Sequence, residues 1–344
     1  MSAASKPQKK RLTNSGRWRK RRDDAKKGLA LLPSLLTLGN AICGIAAIVK
    51  IAKIQWEPDG LLHEGPFGGR TNLYEAALLI LLGMVFDVLD GRVARLTKTT
   101  SDFGGQLDSL ADAVTFGVAP GIMAIMANAE ARFPLHPFWT KVAWVFGIAY
   151  SCGAIARLAR FNVGNDHDDK AHMEFKGLPS PGAAGVIATL VLLQGFLLGP
   201  RGQVVARIAE PEVIDRFAQY GITLALPFVA LTLGYLMVSK FRYTHVANRF
   251  LRGRKPFYYL RIILLGGVFF AILPEVMGAL VFIVFAATGP LLAWRQRGLA
   301  ALAASPAAET PAAPAPNVAA TVAEKPPETT ASEPPPQPAP SHGI

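Results

Sequence analysis

Cysteine is nearly absent. Cys43 and Cys152 are the only two in 344 residues, and both sit inside apolar runs. That excludes a disulfide framework, and their spacing excludes a zinc cluster; both are expected to be buried membrane thiols. Charge is scarce as well, at 17% of residues, where a soluble domain carries about 25%. No internal repeat is visible, and no stretch reads as a second soluble domain. No signal peptide is expected, because the first apolar run starts near Leu29, is long, and lacks a small-residue cleavage site.

What fills the chain instead is apolar sequence, 51% hydrophobic overall. It comes in runs of roughly 18 to 25 residues, the length that crosses a bilayer core. The fold class is therefore all-α, a polytopic membrane helical bundle. The runs predict eight spans, over residues 30–52, 73–95, 108–128, 139–160, 180–198, 218–238, 258–273 and 275–294, with the last boundary at the turn around Pro274. The expected domains are a basic arm over 1–28, a transmembrane catalytic domain over 29–298 and a disordered Pro/Ala-rich tail over 299–344. Eleven of the 26 prolines lie in 305–344, with almost no large apolar residue, and such a composition cannot bury a core.

The net charge of +12 is unevenly placed. Residues 1–27 hold eleven Lys/Arg against Asp23 and Asp24. Beside a membrane span this arm reads as an anchor to anionic lipid rather than a nucleic-acid arm, so no nucleic-acid partner is expected. The loop 239–257 holds Lys240, Arg242, Arg249, Arg252, Arg254 and Lys255 with no acid, whereas 53–72 holds Lys53 and Arg70 against Glu57, Asp59 and Glu64. Basic excess marks the cytoplasmic side. Both termini and the loops near 96–107, 161–179 and 239–257 are thus expected to face the cytoplasm, at the inner membrane.

Chemistry concentrates around the second and third spans. Asp87, Asp90, Gly91, Ala94 and Arg95 are followed by Gly104, Asp108 and Asp112, in the pattern D-x2-D-G-x2-A-R-x8-G-x3-D-x3-D. Positions i, i+3, i+4 and i+7 share a helix face, so Asp87, Asp90, Gly91 and Ala94 line one stripe and Asp108 and Asp112 line another. A twelve-residue connection from Leu96 to Leu107 lets the helices run antiparallel and the two faces meet. Four carboxylates near a membrane need counter-charge, and a hard divalent cation supplies it. Such an ion suits phosphoryl chemistry. Gly91 and Ala94 leave room for a ligand, and Arg95 can fork onto a phosphate.

These residues resemble the CDP-alcohol phosphatidyltransferase family, whose signature is matched at all eight positions. The resemblance implies a bundle on six core helices, usually homodimeric, with a site open to the cytoplasm. It implies one or two Mg²⁺ or Mn²⁺ ions on Asp87, Asp90, Asp108 and Asp112, and Asp108 and Asp112 as the catalytic pair, Asp112 being the general base. Gly91, Ala94, Arg95, Gly104 and Asn40 would hold the CDP moiety. A narrower resemblance, to bacterial membrane-integral phosphatidylserine synthases, rests on Asp108–Pro120, Arg157–Asn162, Phe175–Pro181 and a first span with Pro33, Thr37, Gly39, Asn40 and Gly44; Ser34 stands where that subfamily commonly has Asn. It implies CDP-diacylglycerol and L-serine as substrates. Arg157, Arg160 and Lys176 are candidates for binding the acceptor or a lipid phosphate. Other acceptors of the class are glycerol 3-phosphate, inositol phosphate and choline. An intramembrane prenyltransferase would place its acidic motifs in separate halves of the chain, and a cation transporter would place its acids at the midplane of repeated halves. Neither arrangement occurs here.

Overall fold

The computed structural model describes residues 14–56, 72–97, 102–128, 137–165, 177–199, 211–241, 243 and 266–304. Among them there is no strand. The helices are α1 (Asn14–Trp56), α2 (Asn72–Thr97), α3 (Asp102–Asp112), α4 (Ala119–Met126), α5 (Pro137–Asn165), α6 (Ser180–Leu198), α7 (Pro211–Arg216), α8 (Thr223–Val238) and α9 (Pro274–Ala304). A π-helical turn, Ala113–Val118, joins α3 to α4, and a second, Phe217–Ile222, joins α7 to α8.

Among the described residues, six stretches are long and apolar enough to cross a membrane: Leu32–Ile54, Phe103–Met126, Pro137–Val163, Ser180–Leu198, Tyr220–Val238 and Pro274–Gly298. Of the eight expected spans, the second is α2, which is not one of these six and carries Glu75, Asp87, Asp90, Arg92 and Arg95. Its 26 residues still extend about 39 Å at 1.5 Å per residue. The expected seventh span lies partly outside the described residues; 266–272 are helical. The break before α9 falls at Leu273, because the residue preceding a proline is pushed out of the helical region. The basic arm is helical from Asn14 and runs into the first span without interruption. Residues 299–304 continue α9, and the rest of the expected tail lies outside the described residues.

The outer faces of the spans are apolar. On α1, Leu35, Leu38, Ile42, Ile45 and Val49 are exposed at three- and four-residue spacing, while Asn40, Cys43, Ala47 and Ile51 point inward. Large exposed apolar stripes of this kind are the signature of a surface that meets lipid, and the chain is a multi-pass membrane protein. Cys152 corrects an expectation. It is exposed, because it falls on the outward stripe of α5 with Val145, Ile148 and Ile155.

α1 packs along α2, α2 against α6, and α5 against α8. At the α5–α8 crossing a Cβ on Gly153 would stand 2.9 Å from the carbonyl oxygen of Gly234, so two backbones are in direct contact. Small residues permit such approach in membranes. Gly153→Val is expected to destabilise the protein by about 1–3 kcal/mol through overpacking, read as a lowered unfolding midpoint in detergent. At the end where α1 finishes and α2 begins, Lys50 pairs with Glu75. The neighbouring Tyr74 hydroxyl donates to Glu275 Oε1 at 3.3 Å, tying α9 to α2.

The segment before α6 is a lock between helices. Gly177 adopts φ 93°, a conformation that disfavours any residue with a Cβ. Its N–H donates to the Phe241 carbonyl at 2.8 Å, and the Leu178 N–H to the Leu236 carbonyl at 3.1 Å. Pro179 then stands at the N-cap position of α6. The start of α6 is thereby fixed to the end of α8.

Candidate active site

The site forms where the carboxyl-terminal part of α2 meets α3. α2 extends to Thr97, where the Thr97 hydroxyl back-bonds to the Val93 carbonyl at 2.8 Å, and α3 begins at Asp102. The connection is therefore four residues, 98–101, and not the expected twelve. Polar residues at a span's end are free to stay helical outside the hydrocarbon, and Asp102 suits a helix amino terminus. The shorter link still brings the acidic faces together. Carboxylate oxygens of Asp87, Asp90 and Asp108 lie within 4.8 Å of one another. Asp90 is buried, and Asp87 and Asp108 are half-buried.

Asp112, expected as a fourth ligand, lies outside that group. It is one turn further along α3, within electrostatic reach of Asp87, Asp108 and Asp90. None of the four has an ion-pair partner among the described residues. Asp108 Oδ1 is buried with no hydrogen-bond partner. An orphaned, buried carboxylate oxygen is costly, and a hard cation is what would satisfy it. Oxygen ligands around a Mg²⁺ ion at 2.0–2.1 Å stand roughly 3 to 4 Å apart, and the three carboxylates already converge to within 4.8 Å of one another. The donor set therefore fits a divalent metal held by Asp87, Asp90 and Asp108.

Around this centre the other expected residues separate. A Cβ on Gly91 would meet nothing within 4 Å, so the acidic stripe borders open space. Ala94 is half-buried on the same helix, and Gly104 half-buried on α3. The exposed Arg95 side chain folds back, its Nε donating to the Gly91 carbonyl at 2.9 Å. Asn40, expected to contact the nucleotide, faces Asp112. It is fully buried, and its Nδ2 donates to Asp112 Oδ1 at 3.0 Å. One turn earlier on α1, the Thr37 hydroxyl donates to Asp90 Oδ2 at 2.9 Å. The sequence reading missed Thr37 as a partner of the cluster; its spacing of three from Asn40 was the available signal.

The two arginines of α5 also part company. Arg157 is half-buried and within electrostatic reach of Asp112, and its Nη1 donates to Ser180 Oγ at 2.9 Å. Arg160 is exposed and donates to the Val238 carbonyl at 3.0 Å, capping the end of α8. Lys176 lies outside the described residues. Ser109 Oγ and Asn162 Oδ1, 3.1 Å apart, bridge α3 to α5 on the same side.

The π-helical turn directly after Asp112 was not foreseen. Pro120 has no N–H to give to the Phe116 carbonyl four residues back. That carbonyl is taken instead by the hydroxyl of Tyr150, at 2.9 Å, and the Gly117 carbonyl by Ser151, at 3.1 Å. Thr115 donates to the Asn40 carbonyl at 2.9 Å. Each hydroxyl in this set donates to a backbone carbonyl, a partner that lipid cannot supply.

Three relatives set this geometry in context, each named CDP-diacylglycerol–serine O-phosphatidyltransferase. The chain is 34% identical to that of Helicobacter pylori over 218 residues, covering 62% of this chain and 72% of the relative. It is 32% identical to that of Bacillus subtilis over 214 residues, covering 62% and 90%. It is 41% identical to that of Saccharomyces cerevisiae over 126 residues, covering 35% and 40%. Residues 30–238 match the family described as CDP-alcohol phosphatidyltransferase, a stretch that is more than half of the chain and contains the whole acidic constellation. The chain thus belongs to the CDP-alcohol phosphatidyltransferase family and is a membrane-embedded enzyme of phosphatidyl transfer.

Proposed function

We propose that this protein transfers the phosphatidyl group of CDP-diacylglycerol to the hydroxyl of L-serine, giving phosphatidylserine and CMP, with Mg²⁺ or Mn²⁺ bound by Asp87, Asp90 and Asp108. The observation that carries the metal and the chemistry is the convergence of those three carboxylates, together with a buried Asp108 oxygen that has no hydrogen-bond partner. The names of the relatives favour serine as the acceptor. So does Arg157, a half-buried guanidinium within electrostatic reach of Asp112 that suits the acceptor's carboxylate. The basic arm and the basic loop 239–257 favour a site open to the cytoplasm at the inner membrane, with both termini on that side. A homodimer rests on the family resemblance.

When bound, the metal neutralises phosphate oxygens and stabilises the leaving group. The chain's own residues do the rest. Gly91 and Ala94 on α2, and Gly104 on α3, let the nucleotide approach the carboxylates. Arg95 releases the Gly91 carbonyl to pair with a phosphate. Arg157 orients serine by its carboxylate. Asp112 takes the serine hydroxyl proton as the oxygen attacks the β-phosphorus. The new P–O bond forms to serine, and the P–O bond to CMP breaks.

The test is CMP release by protein purified in detergent, supplied with CDP-diacylglycerol and Mn²⁺ or Mg²⁺. Serine, glycerol 3-phosphate, inositol phosphate and choline are offered one at a time. Release with serine alone, abolished by chelator, is the expected result. Metal-dependent release with another acceptor replaces the serine assignment and keeps the aspartate roles. Release that survives chelation removes the metal from the mechanism.

A further inference from the structure

The first helix supplies none of the four site carboxylates, yet it touches two of them. Thr37 and Asn40 lie three residues apart and so share one face of α1. Thr37 Oγ1 donates to Asp90 Oδ2 at 2.9 Å and stands 3.1 Å from the Pro33 carbonyl. A hydroxyl has one proton, and an ionised carboxylate is the stronger of the two acceptors. Asn40 Nδ2 donates to Asp112 Oδ1 at 3.0 Å. Each contact occupies one carboxylate oxygen and leaves the other for chemistry.

Asn40 is held in this orientation at a cost. Its side-chain oxygen is buried without a hydrogen-bond partner, and the residue is fully inaccessible. A buried amide with an unsatisfied acceptor is worse for folding than an apolar side chain of similar size. Its surroundings fix it. A Cβ on Gly83 would press to 2.9 Å from Asn40 Oδ1 and 2.7 Å from Thr115 Cγ2, and a Cβ on Gly44 would stand 2.8 Å from Thr115 Cα. The amide sits in a slot that two glycines keep narrow and that Thr115 closes by bonding the Asn40 carbonyl. Nothing in that packing requires an amide. The contact to Asp112 does.

We infer that Thr37 and Asn40 are positioning residues with separate tasks: Thr37 orients Asp90 for the metal, and Asn40 orients Asp112 for the proton. This rests on the function proposed above. Groups that hold metal ligands from behind set ligand orientation and affinity, and a group that aims a base sets turnover without touching the metal. The two substitutions are therefore expected to divide their effects. Thr37→Val weakens Mn²⁺ binding about tenfold, and Thr37→Ser, which keeps the hydroxyl, restores it. Asn40→Ala lowers kcat about a hundredfold and leaves both the Mn²⁺ Kd and the KM for CDP-diacylglycerol within about threefold.

The experiment measures Mn²⁺ binding by electron paramagnetic resonance on the full chain in detergent without substrate, and CMP-release kinetics on the same samples. Wild-type protein that releases no CMP with any acceptor removes the functional reading itself. Wild-type release with equal Mn²⁺ affinity in Thr37→Val overturns the task given to Thr37. Wild-type release with kcat retained in Asn40→Ala, or lost in step with Mn²⁺ affinity, overturns the task given to Asn40. Because Thr37→Val and Thr37→Ser differ by one hydroxyl at the same position, their comparison stands even where Asn40→Ala lowers stability.

Discussion

Asp112→Asn is expected to yield folded protein whose CMP release is slower by about a thousandfold, within the range of a lost general base. The substitution is isosteric. The new amide oxygen can still accept from Asn40 Nδ2, so the hydrogen bond of 3.0 Å has no reason to break. What disappears is the ability to take a proton. The three carboxylates that converge for the metal are Asp87, Asp90 and Asp108, and none of them is altered. Mn²⁺ binding is therefore expected to persist. This distinguishes Asp112 from Asp108, whose conversion to Asn removes a charge from the centre of the metal group. Turnover by Asp112→Asn above a tenth of wild type sinks the base assignment. Loss of Mn²⁺ binding in the same variant makes Asp112 a metal ligand in spite of its distance from the trio.

Arg157→Lys is expected to raise the KM for serine by roughly 10- to 100-fold, the worth of a charge-assisted hydrogen bond, with the KM for CDP-diacylglycerol changed by less than about threefold. Lysine keeps the charge near Asp112 but loses the planar fork that grips a carboxylate at two points. It also loses the Nη1 contact that steadies Arg157 against Ser180 at 2.9 Å. Arg160 is the internal control. Its contact is to the Val238 carbonyl at the end of α8, so Arg160→Met is expected to cost stability and leave the serine KM near wild type. Steady-state kinetics with each substrate varied in turn decide the matter. A rise confined to CDP-diacylglycerol would move Arg157 from the acceptor to the lipid phosphate.

Much of the site was legible because carboxylates are rare in membrane sequence and their spacing converts directly into helix faces. Asp87 and Asp90, then Asp108, meet as the spacing demands. The length of the link between their helices was not legible. Polar residues around Asp102 look like a loop on hydropathy, and nothing in a polar pattern says that a helix must end where the membrane does. The difference in partners between Arg157 and Arg160 was equally hidden. Both sit at one end of one span, and only the positions of Ser180 on α6 and Val238 on α8 separate them. Asn40 is expected at the nucleotide from the resemblance of the first span to the phosphatidylserine synthases, and the sequence does not show its hydrogen bond to Asp112. The fold turns it inward, toward Asp112. The burial of Cys152 was misjudged for a related reason. An apolar run gives no sign of which side meets lipid until the packing of α5 against α8 is known.

The π-helical turn after Asp112 also acts as a phase shifter. One residue more than an α-helix needs is accommodated between Ala113 and Val118, and each residue of an α-helix advances the chain by about 100° around its axis. The acidic face of α3 and the packing face of α4 are therefore set to different angular origins on what would otherwise be one rigid rod. Deleting a single residue inside the turn would leave the hydrophobic composition of the span almost unchanged. It would also let the span close as an unbroken α-helix between Asp112 and the core residues Met123 and Ala124, and the wide turn would be lost. Point substitutions sample chemistry at this site; only a change of length would sample its turn.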